Sequence, residues 1–256
     1  MKNKIESVSP KAGLLLLIIF VLLCIIMFAF SSLFSSEGFT DAFVTTGINQ
    51  VDDVSPKDKR FTVIIDAGHG GEDPGAVVGE LKEKDINLKV AKKLSELFLM
   101  CDYNVVLTRS EDVLLYNAGE EDHKKQYDLK NRAKIAESFE NAVFISIHMN
   151  KFYLSSCKGA QTFYGNSPLS KPLAESIQES LKILQTDNNR EVKNGVSTVY
   201  LLERLNCPAV LVECGFLSNP DDASMLASDE YTSDLAVSIY KGILEWISEN
   251  ETNLCL

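Results

Sequence analysis

A chain of 256 residues, 45% hydrophobic and 24% charged, is too apolar to be disordered and long enough to bury a core in one or two domains. Lys2, Lys4 and Lys11 against Glu6 leave the first thirty residues at net +2, so the formal total of −11 puts −13 on residues 31–256. An acidic body of this kind argues against nucleic acid as a partner.

Residues 1–11 read as a basic cytoplasmic tail. They are followed by "AGLLLLIIFVLLCIIMFAF", nineteen uncharged residues from Ala12 to Phe30. That length crosses a hydrocarbon core of ~30 Å, whereas the apolar stretch of a cleaved signal peptide runs ~7–15 residues. Lysines before the span and acids after it predict a signal anchor over 12–30, with the body outside the cytoplasm. Cleavage near Ala29-Phe30-Ser31, giving a secreted protein, is the alternative. Residues 31–60 lack periodicity and close with a polar, Pro-containing segment, as a tether would.

The folded unit is predicted over 61–250. Candidate strands are "FTVIID" (61–66), "YNVVLT" (103–108), "VFISIH" (143–148), "GAQTFYG" (159–165), "VSTVYLL" (196–202) and "AVLVE" (209–213), rich in β-branched or aromatic residues. Helical spacing joins Ile86, Val90, Leu94, Leu97 and Phe98. It recurs in Leu173, Ile177, Leu181 and Leu184, and in Leu235, Ile239, Ile243, Trp246 and Ile247. This alternation predicts an α/β single domain, a mostly parallel twisted sheet with helices on both faces. Outside the span, the odd set Cys101, Cys157, Cys207, Cys214 and Cys255 has no CxxC pair and suits neither a disulfide framework nor a zinc knuckle.

In such sheets, sites gather beyond the carboxyl ends of the strands. His69 follows the first predicted strand, His148 ends the third, Glu213 ends the last, and Glu83 leads into a helix start. Two imidazoles and one carboxylate suit a catalytic zinc with an open position, and a further carboxylate can move the proton of a water. Glu80 and Asp85 rival Glu83, and each of the three could equally be a helix N-terminal charge. Glu213 could be a buried acid paired to a base. Asp66 and Asn150 are candidates to orient the histidine rings from behind, or to make ordinary turn and strand-end bonds. "GHGGEDPG" lacks the GK[ST] ending of a phosphate loop, and His123 sits in a charge-dense stretch that suggests no site role.

In order along the chain, "DAGHGGEDPGA", "KEKDINL", Thr108–Arg109, "DLKNRAKIA", "ISIHMN", "GAQTFY" and "PAVLVECGFLSN" resemble the successive motifs of zinc-dependent N-acetylmuramoyl-L-alanine amidases of bacterial cell walls. The resemblance implies that His69, Glu83 and His148 bind one Zn2+ per chain and that Glu213 is the catalytic acid/base. It implies hydrolysis of the amide between N-acetylmuramic acid and L-alanine in peptidoglycan. A signal anchor before a bare catalytic domain looks most like the spore-cortex, germination-specific amidases, whose cleavage precedes muramic lactam formation, and implies an extracytoplasmic envelope location. An envelope activator protein is a further expectation, suggested by the bare layout and the long segment 110–128. Cys214 departs from the family pattern beside the acid/base, where a thiol could affect the metal. The competing classes are a noncatalytic peptidoglycan-binding scaffold and a zinc peptidase cutting within the stem peptide.

Overall fold

The apolar runs become strands that alternate their side chains between two covered faces. A computed structural model describes residues 61–250; the basic tail, the predicted span and the tether lie outside the described residues. Its strands are β1 (Thr62–Ala67), β2 (Val77–Val78), β3 (Leu81–Lys82), β4 (Asn104–Leu107), β5 (Ala142–Asn150), β6 (Gln161–Tyr164), β7 (Lys193–Asn194) and β8 (Ala209–Phe216). The helices are α1 (Glu83–Leu99), α2 (Lys124–Glu137), α3 (Ser170–Leu184), α4 (Tyr200–Arg204), α5 (Pro220–Ala227) and α6 (Asp229–Glu249).

Six strands form one sheet in the order β4-β1-β5-β8-β6-β7, and β2 pairs with β3 as a separate hairpin. All pairs in the large sheet are parallel except β6 with β8. Val63, Ile65, Val143, Ile145, Ile147, Val210 and Val212 pack with α1, α3 and α6 on one face. Ile64, Phe144 and Leu211 pack with Ala133 and Ala136 of α2 and Leu201 and Leu202 of α4 on the other. The period-2 alternation then continues past the apolar part of this second face, so Asp66, Ser146, His148 and Glu213 lie toward the carboxyl ends of neighbouring strands. The polar site is the continuation of an apolar face.

One strand expectation is corrected. The run 196–202 is not a strand: Thr198 and Val199 donate their N–H groups to Gly195 O in a turn, and Leu201 and Leu202 become buried on α4. The sheet edge next to β6 is taken by Lys193–Asn194. The charge-dense segment around His123 leads into α2, which has no clear amphipathic pattern because its sheet-facing side includes Asp128, Asn131 and Arg132.

Cys214 alternates to the far face, where it is fully buried, and its Sγ contacts Val212 O at 3.7 Å. It faces away from the site, which removes the expected thiol effect. Among the described residues no helix is long and apolar enough to cross a membrane.

Candidate metal centre

His69 is carried by a turn that most residues would resist. It has φ +61, between Gly68 and two glycines of positive φ, Gly70 and Gly71. Two buried arginines hold that turn by its carbonyls. Arg109 donates to Ala67 O (Nε, 2.8 Å), Gly68 O (Nη2, 3.1 Å) and Lys84 O (Nη2, 2.9 Å). Arg132 donates to Ala67 O at 2.8 Å and to His69 O at 2.7 Å. One consequence is that the start of α1 and the His69 turn are tied through Arg109.

Glu83 is the first residue of α1, and its carboxylate is almost entirely enclosed. Oε2 accepts from Ala76 N–H at 2.7 Å, and Oε1 from Met149 N–H at 3.1 Å. His148 Nδ1 lies 2.8 Å and His69 Nε2 3.2 Å from the same Oε1. One potential ligand atom from each of His69, Glu83 and His148 falls within 4.8 Å of the others, and the imidazole rings meet edge to face with centroids 5.0 Å apart. Gly68 and Gly75 make room: a Cβ on Gly68 would sit 2.2 Å from His148 Nε2, and one on Gly75 would sit 2.5 Å from Glu83 Oε2.

Burial would raise the Glu83 carboxyl, but His148 and His69 hold it well below the usual carboxylate range. Burial would lower His69, but Glu83 and then Asp73 raise it. Glu213 sits opposite His148 in the β5–β8 register. Burial pushes its carboxyl up to about 7; His148 and His69 oppose the rise and Glu83 adds to it. Its Oε2 is buried with no hydrogen-bond partner among the described residues. An orphaned buried oxygen beside two imidazoles and a carboxylate fits a site built for a divalent cation and a water.

Glu80 and Asp85, the rivals of Glu83, are both exposed. Asp66 does not back a histidine ring: its carboxylate accepts from Thr108 (2.7 Å), Arg132 (2.5 Å) and Ser146 (2.6 Å). The Asn150 side chain makes no hydrogen bond to either ring among the described residues, and its carbonyl accepts from Leu217 N–H. The ring partner is Asp73, whose Oδ2 lies 2.8 Å from His69 Nδ1. Sequence reading missed it; its only signal was an acid four residues after the histidine in the same turn. The segment 110–128 is strapped to that turn, because Asp112 accepts from Gly71 N–H at 2.7 Å and Lys84 Nζ at 2.5 Å, and Lys124 pairs with Glu72.

The sequence profile of the family described as N-acetylmuramoyl-L-alanine amidase matches residues 63–245. The germination-specific N-acetylmuramoyl-L-alanine amidase of Bacillus subtilis (strain 168) is 36% identical over 190 residues, 73% of this chain and 80% of the relative. The CwlD amidase of Clostridioides difficile, solved in complex with the GerS lipoprotein, superposes with a TM-score of 0.70 at 43% identity, covering 73% of this chain and 98% of that one. The catalytic domain of CwlV, an N-acetylmuramoyl-L-alanine amidase from Bacillus (Paenibacillus) polymyxa var. colistinus, gives 0.64 at 32% identity, with coverage of 73% and 98%.

Proposed function

The chain belongs to the N-acetylmuramoyl-L-alanine amidase family and is a hydrolase of peptidoglycan, and on that premise we propose that it works as a zinc enzyme with His69, Glu83 and His148 as ligands and Glu213 as proton carrier. The observation that carries this reading is the buried Glu213 Oε2 opposite His148, which has no hydrogen-bond partner among the described residues. Zinc held by the three ligands would supply Lewis acidity, polarising a carbonyl and lowering the pKa of a water. Glu213 takes the proton from the attacking water and delivers it to the departing nitrogen. A C–O bond forms as the C–N bond breaks, leaving a lactyl carboxylate and a free L-alanine amine. Burial favours the protonated form of this carboxyl, which suits a group that must accept a proton and return it. Asp73 holds the His69 ring from its Nδ1 side, leaving Nε2 toward Glu83.

Mass spectrometry of peptidoglycan digested by the chain, with and without zinc and beside Glu213→Gln, tests this. Zinc-dependent release of stem peptides that begin with a free L-alanine amine, lost in the variant, is the expected result. Cuts within the stem would mark a peptidase, and no product from folded, zinc-loaded protein would mark an activator requirement or a binding scaffold.

The same reading extends to place and partner. The 36% identical germination-specific relative supports a role in spore cortex maturation. The 43% identical amidase solved with a lipoprotein supports an envelope activator. The nineteen uncharged residues Ala12 to Phe30 support membrane anchoring with the catalytic domain outside the cytoplasm. Full turnover by the isolated zinc-loaded chain would refute the activator. Recovery of the full chain in the soluble fraction would refute the anchor.

A further inference from the structure

Arg190 lies between α3 and β7 with its guanidinium held on three sides. Nε donates to Lys158 O at 2.7 Å, Nη1 donates to Gln161 Oε1 at 3.2 Å, and Cζ sits 4.5 Å from the centroid of the Phe216 ring. Gln161 is the antiparallel register partner of Glu213, so the two side chains share a face with Cβ atoms ~4.5–5.5 Å apart. The guanidinium is thus one side chain removed from the proton carrier.

Among the described residues no acid pairs with Arg190: neighbouring Glu191 pairs with Lys182, and Asp187 with Lys158. Nη2 makes no hydrogen bond among the described residues. A partly buried guanidinium, fixed by a carbonyl, an amide and a ring, presents a pre-organised fork of the kind that matches a carboxylate.

Sheet order gives the direction. The metal-ligand candidate His148 is on β5, Glu213 on β8, and Gln161 with Arg190 beyond it on the β6 side. A scissile amide with its carbonyl toward the ligands and its nitrogen toward Glu213 would send the peptide toward Arg190. We propose that Arg190 binds the first free carboxylate of the stem peptide, the α-carboxylate of the γ-linked D-glutamate that follows L-alanine. This rests on the amidase reading above. It makes Arg190 a specificity-determining residue that distinguishes acid from amide at that position.

The test uses the full chain loaded with zinc and two synthetic substrates, N-acetylmuramoyl-L-alanyl-γ-D-glutamyl-L-lysine and its α-carboxamide counterpart. The wild type is expected to favour the acid by about tenfold in kcat/KM, mainly through KM, and the preference is expected to fall to near one in R190Q. R190K, with charge but no fork, is expected to fall between them. An unchanged preference in R190Q, or equal losses on both substrates, would overturn the proposal, and thermal midpoints report whether each variant is folded. If the wild type cleaves neither substrate, turnover without the activator has failed and not the Arg190 assignment. Calorimetric binding of the free peptides L-alanyl-γ-D-glutamyl-L-lysine and its α-amide then decides the Arg190 assignment, which stands only if the wild type prefers the acid and R190Q does not.

Discussion

His69 Nδ1 and Asp73 Oδ2 lie 2.8 Å apart across one turn, and this contact leaves the other ring nitrogen, Nε2, 3.2 Å from Glu83. Asp73 is itself placed by Gly75 N–H at 3.2 Å and by Lys125. Asp73→Ala is therefore expected to weaken zinc binding by about 10–100-fold with the fold retained. Zinc titration against a competing chelator measures this, and wild-type affinity in the variant would refute it.

Gly75 and Gly79 both have positive φ, +64 and +58, but only Gly75 faces the site. A Cβ on Gly75 would meet Glu83 Oε2 at 2.5 Å and His69 Cδ2 at 2.7 Å, while one on Gly79 meets nothing within 4 Å. Each alanine carries the left-handed strain of roughly 1–2 kcal/mol. Only Gly75→Ala is expected to lose zinc affinity, by about tenfold or more, a factor that corresponds to ~1.4 kcal/mol. Equal zinc affinity in the two variants would show that the clash is relieved elsewhere.

The Asp66–Arg132 pair is buried and joins β1 to α2, with Asp128 on the other side of the guanidinium at 2.9 Å. Asp66→Ala strands part of that charge and is expected to cost about 3–5 kcal/mol in denaturant unfolding.

Burial alone would raise the Asp66 carboxyl, but Arg132, Ser146 and Thr108 hold it at about 2, below its ordinary 3.8. A depressed carboxylate stabilises the fold above its unfolded pKa, and that contribution is lost as pH falls through the folded value. The expected signature is a loss of stability between pH of about 4 and about 2, weaker in Asp66→Asn. Parallel urea titrations of the two proteins across that window would expose a failure of this assignment.

Gly242 lets α6 lie directly on α3: a Cβ there would sit 2.6 Å from Ile177 Cα and 2.9 Å from Ser176 O, both backbone atoms. Alanine gains ~1 kcal/mol of helix propensity, yet overpacking against backbone costs ~1–3 kcal/mol. Gly242→Ala is expected to lower the thermal midpoint while activity per folded molecule is kept. A raised midpoint would mean the helices separate at little cost.

Much of the fold was legible because it is written in local periods. Alternating and continuous apolar runs marked β1, β4, β5, β6 and β8, and helical spacing marked α1, α3 and α6. The run 196–202 misled because its β-branched residues Val196, Thr198 and Val199 belong to a glycine turn, and Leu201 and Leu202 are buried on the short helix that follows. α2 escaped because half of its buried side is polar: Arg132 and Asp128 pack inward beside Ala133 and Ala136 because Asp66 and the carbonyls of the His69 turn meet the guanidinium.

By itself the sequence determined which chemistry-bearing residues stand at strand ends and helix starts, since those positions follow from local patterning. It also carried the ordered motifs by which the family is known. Tertiary structure alone decided that Asp73 and not Asp66 or Asn150 backs His69, that Cys214 turns away from the site, and that Arg190, with no acid paired to it among the described residues, stands one side chain beyond Glu213. These outcomes depend on strand register, on the alternation of faces and on contacts between residues 4 to 66 positions apart. Such contacts exist only once the chain has packed.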